Sequence, residues 1–91
     1  MVVTVEDVKL YLRVENEEED TLISTFINVS EELIEGILRY PISDFELIPE
    51  VIKEAVMYSV SNMYEKRENY DVKEVLEIIT MLLFSYRKEV W

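Results

Sequence analysis

Apolar residues return every three or four positions along almost the whole of this 91-residue chain, and no stretch of useful length alternates them with polar ones. That spacing collects side chains on one face of a helix, whereas a half-buried strand needs a repeat of two. The expectation is an all-α fold: a single small domain over residues 1–91, of about four helices, two of them long and antiparallel. One glycine and two prolines are the only strong backbone breakers in the chain, so the joints between helices can be located.

Thr4 followed by Asp7 reads as a capping pair, and Val5, Val8 and Leu12 predict a short helix over about 5–12. An acidic run, Glu15 to Asp20, follows, and Asn16 with Glu19 reads as the cap of a second helix. On that helix Leu22, Ile23, Phe26, Ile27, Val29, Leu33, Ile34, Ile37 and Leu38 spread over half the circumference, opposite Asn28, Glu31, Glu32 and Glu35. Half a circumference serves two neighbours. Gly36 and Pro41 place its end around 38–40, with a loop to Ile48. Pro49 suits a first helical position and opens a third helix of about 20 residues, about 30 Å long. Its stripe is Ile52, Ala55, Val56, Ser59, Val60 and Met63, with Met57 and Tyr64 displaced to one flank. Asp71 with Glu74 caps a fourth helix, whose stripe of Val72, Val75, Leu76, Ile79, Leu83, Tyr86 and Val90 leaves Met81 and Phe84 well to the side.

Charge and composition exclude several functions. Twenty acids face nine bases, a net charge of -11 with no histidine, so nucleic acid and anionic lipid are poor partners: phosphate binding draws its affinity from Lys and Arg. No cysteine is present, which removes disulfides, thiolate zinc sites and cysteine nucleophiles. Without His or Cys the acids and bases left for catalysis are mostly carboxylates. Paired ones such as Glu31 and Glu35 fall on the polar half of their helix, where nothing tunes them for proton transfer. A di-iron bundle needs Glu-x-x-His, and the run ENEEED lacks the alternating oxygen ligands and glycine of a calcium loop. No enzyme activity, cofactor or metal site is expected. The start MVVTVEDVK lacks the basic and apolar regions of a signal peptide, and the longest apolar run, Met81 to Phe84, is far too short to span a bilayer. The expected chain is soluble and intracellular, with no membrane partner.

The segment MYEKRENYD, residues 63–71, packs five charges between two helical patterns. Arg67 projects from the same side as Val60 and Met63, while Glu65 and Glu68 point away. A guanidinium there continues an apolar face, next to the negative end of its own helix, and its planar fork can hold a carboxylate of another helix or another subunit.

The order and spacing of four stretches resemble the phage head-tail connector family of adaptor, head-completion and DNA-packaging proteins, over nearly the whole chain. The first is Val5-Glu6-Asp7-Val8-Lys9-Leu10-Tyr11-Leu12-Arg13-Val14, followed after the acidic spacer by Glu19-Asp20-Thr21-Leu22-Ile23. Next comes the proline-started helix Ile48-Pro49-Glu50-Val51-Ile52-Lys53-Glu54-Ala55, ending in Tyr64-Glu65-Lys66-Arg67-Glu68, similar to a family Tyr-Glu-x-Arg-Glu motif. Last is Leu82-Leu83-Phe84-Ser85-Tyr86-Arg87, like a C-terminal helix with a terminal Tyr-Arg. Two departures stand out: Asp71-Val72-Lys73 replaces a proline that often opens the last helix, and only four residues follow the Tyr-Arg.

The resemblance implies a structural subunit of a phage or prophage virion, present in the host cytoplasm before assembly. It implies a homo-oligomeric ring of about twelve subunits, docked on the portal protein, joined to a stopper or tail protein, and extending a channel through which DNA passes without specific binding. The expected subunit contacts are Met57, Tyr64, Arg67, Glu68, Met81 and Phe84, with Trp91 against the portal. An acid-rich channel wall would repel phosphate and let DNA slide. Two rival readings compete: an acidic DNA mimic or regulator occupying a basic partner, and a generic helical protein-interaction module.

Overall fold

The computed structural model describes residues 2–66, 68–69 and 71–86. Four α-helices and two 3-10 turns follow one another: α1 Val5–Leu12, α2 Asp20–Leu38, η1 Ile42–Asp44, α3 Glu50–Glu65, α4 Val72–Leu83 and η2 Phe84–Tyr86. Among the described residues there is no strand.

The helix ends follow the local chemistry, with three corrections. Thr4 and Asp7 form a complete capping box, each side chain accepting the other's backbone N–H at 3.0 Å. Asp71 caps α4 by accepting the N–H groups of Lys73 and Glu74. Asn16, in contrast, does not cap α2: its Oδ1 accepts the Glu18 N–H inside the acidic turn, and α2 begins at Asp20 without a side-chain cap. The start of α2 is held instead by an ion pair from Lys9 Nζ to Asp20 Oδ1, 2.8 Å long. Lys9 lies in the last turn of α1 and Asp20 in the first turn of α2, so each charge also complements the dipole of its own helix. Helix α2 ends at Leu38, within the predicted 38–40, but Gly36 is not what stops it. That glycine lies inside the helix with open space where a Cβ would stand, and the left-handed residue that ends α2 is Arg39 at φ 68. Finally, α3 has 16 residues, with Pro49 just outside it as N-cap. It unwinds once its buried stripe ends at Met63 and only charged and polar side chains remain.

The core is a seam between α2 and α3. On α2 the buried residues are Ile23, Ile27, Ser30, Ile34 and Leu38; on α3 they are Ile52, Ala55, Val56, Ser59, Val60 and Met63. The α3 set is the predicted stripe without change, whereas α2 buries a narrower band, leaving Val29 39% exposed and drawing in Ser30. Two contacts give the antiparallel sense. Ser30 Oγ donates to Ser59 Oγ at 2.8 Å in the middle of the pair, and the Tyr64 hydroxyl donates to Glu19 Oε1 at 2.6 Å at one end. The serine pair satisfies two hydroxyls that would otherwise be costly in an apolar seam. Over the seam, α1 inserts Val8, and α4 inserts Val75, Ile79 and Leu83. The α4 stripe is narrower than predicted: Leu76 is half-buried, Val72 and Tyr86 are exposed, the helix ends at Leu83, and Val90 lies outside the described residues. Each of these flanking helices packs against both α2 and α3.

Contacts distant in sequence fix the loops. Val2 N–H donates to Glu31 Oε2 at 2.8 Å and Ile42 N–H to Glu35 Oε2 at 2.7 Å. These two carboxylates, expected on a solvated face, are half-buried and tether the N-terminal segment and η1 to α2. The Tyr40 hydroxyl donates to the Tyr86 carbonyl at 2.5 Å, and the Phe45 ring lies 5.5 Å from Tyr40 and 5.9 Å from Tyr86. Desolvation, then the Asp44 carboxylate and Tyr86, raise the Tyr40 pKa above its ordinary value, which keeps the phenol a donor in this contact.

Candidate assembly faces

A small helical domain can cover only so much of its own apolar surface, and what it leaves uncovered here is concentrated on the two flanking helices. On α4 and η2, Met81 is 75% and Phe84 65% exposed. Met81 shares a shallow depression with Val72, Leu76 and Thr80, bordered by Lys73 and Glu77. Phe84 follows on the same side by the helical period. Both residues project here because Val75, Ile79 and Leu83 have taken the core-facing positions.

Met57 occupies a different place. It is half-buried in a groove between α1 and α3, where Val3, Leu10 and Tyr11 form the apolar lining and Asp7, Glu50, Lys53 and Glu54 the charged margin. Leu10 is 80% and Tyr11 60% exposed. Neither was singled out from the sequence, although both stand off the Val5, Val8, Leu12 stripe. Leu47, in the loop before α3, is 87% exposed, as single surface apolar groups commonly are.

The turn between α3 and α4 brings together Tyr64 and Glu68, which line one open depression with Glu65, Lys66 and Asn69. Tyr64 is half-buried and its hydroxyl is engaged by Glu19 within the same chain, so the part of Tyr64 left for another subunit is its ring. Glu68 is exposed. Arg67, between them in sequence, lies outside the described residues, as does Trp91. The five described residues among the six expected contacts therefore do not form one patch: Met81 and Phe84 share a face, Met57 lies on another, and Tyr64 and Glu68 sit at a helix joint.

Among the described residues no group of three or more metal-ligating side chains converges, and no helix is long and apolar enough to cross a membrane. Chemically, these faces offer apolar side chains bordered by a few charges.

The sequence model of one protein family, described as phage gp6-like head-tail connector protein, matches residues 2–90. No curated protein and no solved structure matches the chain.

Proposed function

The chain belongs to the phage gp6-like head-tail connector family, a family of phage structural proteins, and from that premise we propose that it acts as a ring-forming subunit in the virion. In this reading copies assemble side by side beneath the portal, join head to tail through a stopper or tail protein, and prolong the channel that DNA traverses. The carrying observation is the strong exposure of Met81 on α4 and of Phe84 just beyond its end, on a helix that commits Val75, Ile79 and Leu83 to the core and leaves Val72, Ile78 and Leu82 exposed as well. Large apolar groups held rigidly outside the core are what a subunit contact buries.

The remaining contacts fit around that face. Tyr64, Arg67 and Glu68 would meet an acid or backbone group of the adjacent copy, Met57 a further part of it, and Trp91 the portal. The surplus of eleven negative charges suits a conduit for DNA, since a wall short of cations offers phosphate little to grip.

The test is electron microscopy of the purified chain, alone and after mixing with the portal protein of the same phage. Closed rings, or a ring added to the portal, are expected. A chain that stays monomeric and binds no portal contradicts the proposal.

A further inference from the structure

A ring needs a heterologous contact, in which one patch of a subunit meets a different patch of the next; a patch that pairs with itself closes a dimer and stops. The described surface carries two separate apolar faces. One is the α4–η2 face, with Val72, Leu76, Met81 and Phe84; the other is the α1/α3 groove, with Leu10, Tyr11 and Met57. Helices α1 and α4 pack on the same central pair but not substantially on each other, so neither face covers the other within a subunit.

Resting on the ring reading above, we propose that these two faces are the two halves of one contact: α4–η2 of each subunit docks in the α1/α3 groove of its neighbour. Both faces are open and apolar: Leu10, Tyr11 and the half-buried Met57 line one, and Val72, Leu76 and Met81 the other, with the exposed Phe84 beyond it. The groove margin has an excess of acids, which an exposed lysine of a neighbour would offset. The groove carries Asp7, Glu50 and Glu54 against a single lysine, Lys53, whereas the α4 depression carries Lys73 and Glu77. Asp7 is occupied by its capping box and Glu50 is 3.4 Å from Lys53, which leaves the exposed Glu54 to receive Lys73 from the neighbour. Pairing α4 with α4 would also bring Lys73 to Glu77, but it would leave Leu10 and Tyr11 uncovered and could not propagate around a ring.

The absence of cysteine makes the contact directly testable by crosslinking. Glu54→Cys and Lys73→Cys are introduced together and singly into the full chain, outside the apolar anchors. Each variant is treated with a bis-maleimide crosslinker long enough to span a lysine–carboxylate pair, which a direct disulfide is too short to do, alone and with portal, and resolved on a denaturing gel, with ring formation followed by microscopy. The double variant is expected to give a ladder of dimers, trimers and larger species, and each single variant only monomers. In a second set, Lys73→Glu is expected to raise the concentration needed for assembly on the order of tenfold, and Glu54→Lys in the same chain to restore it. Three outcomes overturn the inference. Dimers from Lys73→Cys alone would mean that α4 pairs with itself. Rings without any crosslink would put the contact elsewhere and leave the ring reading standing. Portal-bound single subunits without contacts between copies would mean that these faces serve the portal. If the unmodified chain forms no ring under any of these conditions, the ring reading fails first and this inference with it.

Discussion

The central pair, α2 and α3, and the flanking pair, α1 and α4, use the same kind of amphipathic sequence to different ends. On α3 every apolar position of the main stripe is buried, and α2 buries Ile23, Ile27, Ile34 and Leu38 completely. By contrast α1 commits one fully buried residue, Val8, and holds Leu10 and Tyr11 in the open, while α4 buries three residues and exposes Met81 and, just beyond its end, Phe84. The central pair thus turns its main apolar stripe into the core, whereas the flanking pair places some of its apolar side chains there and leaves others exposed. A wide apolar surface on a helix does not by itself say which of these it serves; the neighbours decide.

This contrast can be broken most forcefully at the seam. Ile27→Ala removes a fully buried side chain from the centre of α2 and should cost about 2–5 kcal/mol, read as a lower denaturant midpoint. In a domain with about ten kcal/mol to lose in total, that is a large fraction. A loss below about 1 kcal/mol would mean that the seam is not the folding core. A smaller effect sharpens the same point. Ser59→Ala leaves the Ser30 hydroxyl buried without its 2.8 Å partner and should cost about 1–3 kcal/mol, while Ser30→Ala together with Ser59→Ala should recover part of that loss. An additive double variant would show that the two hydroxyls are not coupled. The smallest change is a gain: Gly36→Ala puts a methyl group into open space on a helix interior and should stabilise the chain by about 0.5–1 kcal/mol. A destabilised Gly36→Ala would mean that α2 is not regular at that turn.

Much of this architecture was legible because it is local. The α3 stripe, the Thr4–Asp7 box and the Asp71 cap are set by residues within one or two turns of one another, and the chain forms them as the spacing predicts. What spacing could not show depends on distant partners. Glu31 and Glu35 became tethers because the backbone N–H groups of Val2 and Ile42 come back to them. Asn16 lost the cap to a turn, and the start of α2 passed to Lys9 in another helix. The Tyr40, Phe45 and Tyr86 cluster joins residues 46 positions apart by a hydrogen bond, which no periodicity encodes.

The same division holds for the candidate contacts. Met81 and Phe84 were recognisable because a strong stripe on α4 excluded them from its core-facing side, and their exposure follows from that geometry. Leu10 and Tyr11 carried the same signal on α1, but in a helix of eight residues two off-stripe positions stand out less. Met57 and Tyr64 looked alike as flank residues of α3, yet one lines a groove with α1 and the other turns its hydroxyl to Glu19 at the start of α2. Which flank residue meets which neighbour is a property of packing angles and of loop lengths.

The most direct test of the division between folding and association is to replace Met81 and Phe84 together by serine in the full chain and measure thermal unfolding and ring assembly side by side. Removing exposed side chains should leave the stability of the isolated subunit within about 0.5 kcal/mol of the original, while rings, alone or on the portal, should be lost. A variant that unfolds at much lower temperature would make these two residues part of the core, and one that still assembles normally would show that the α4–η2 face holds no neighbour.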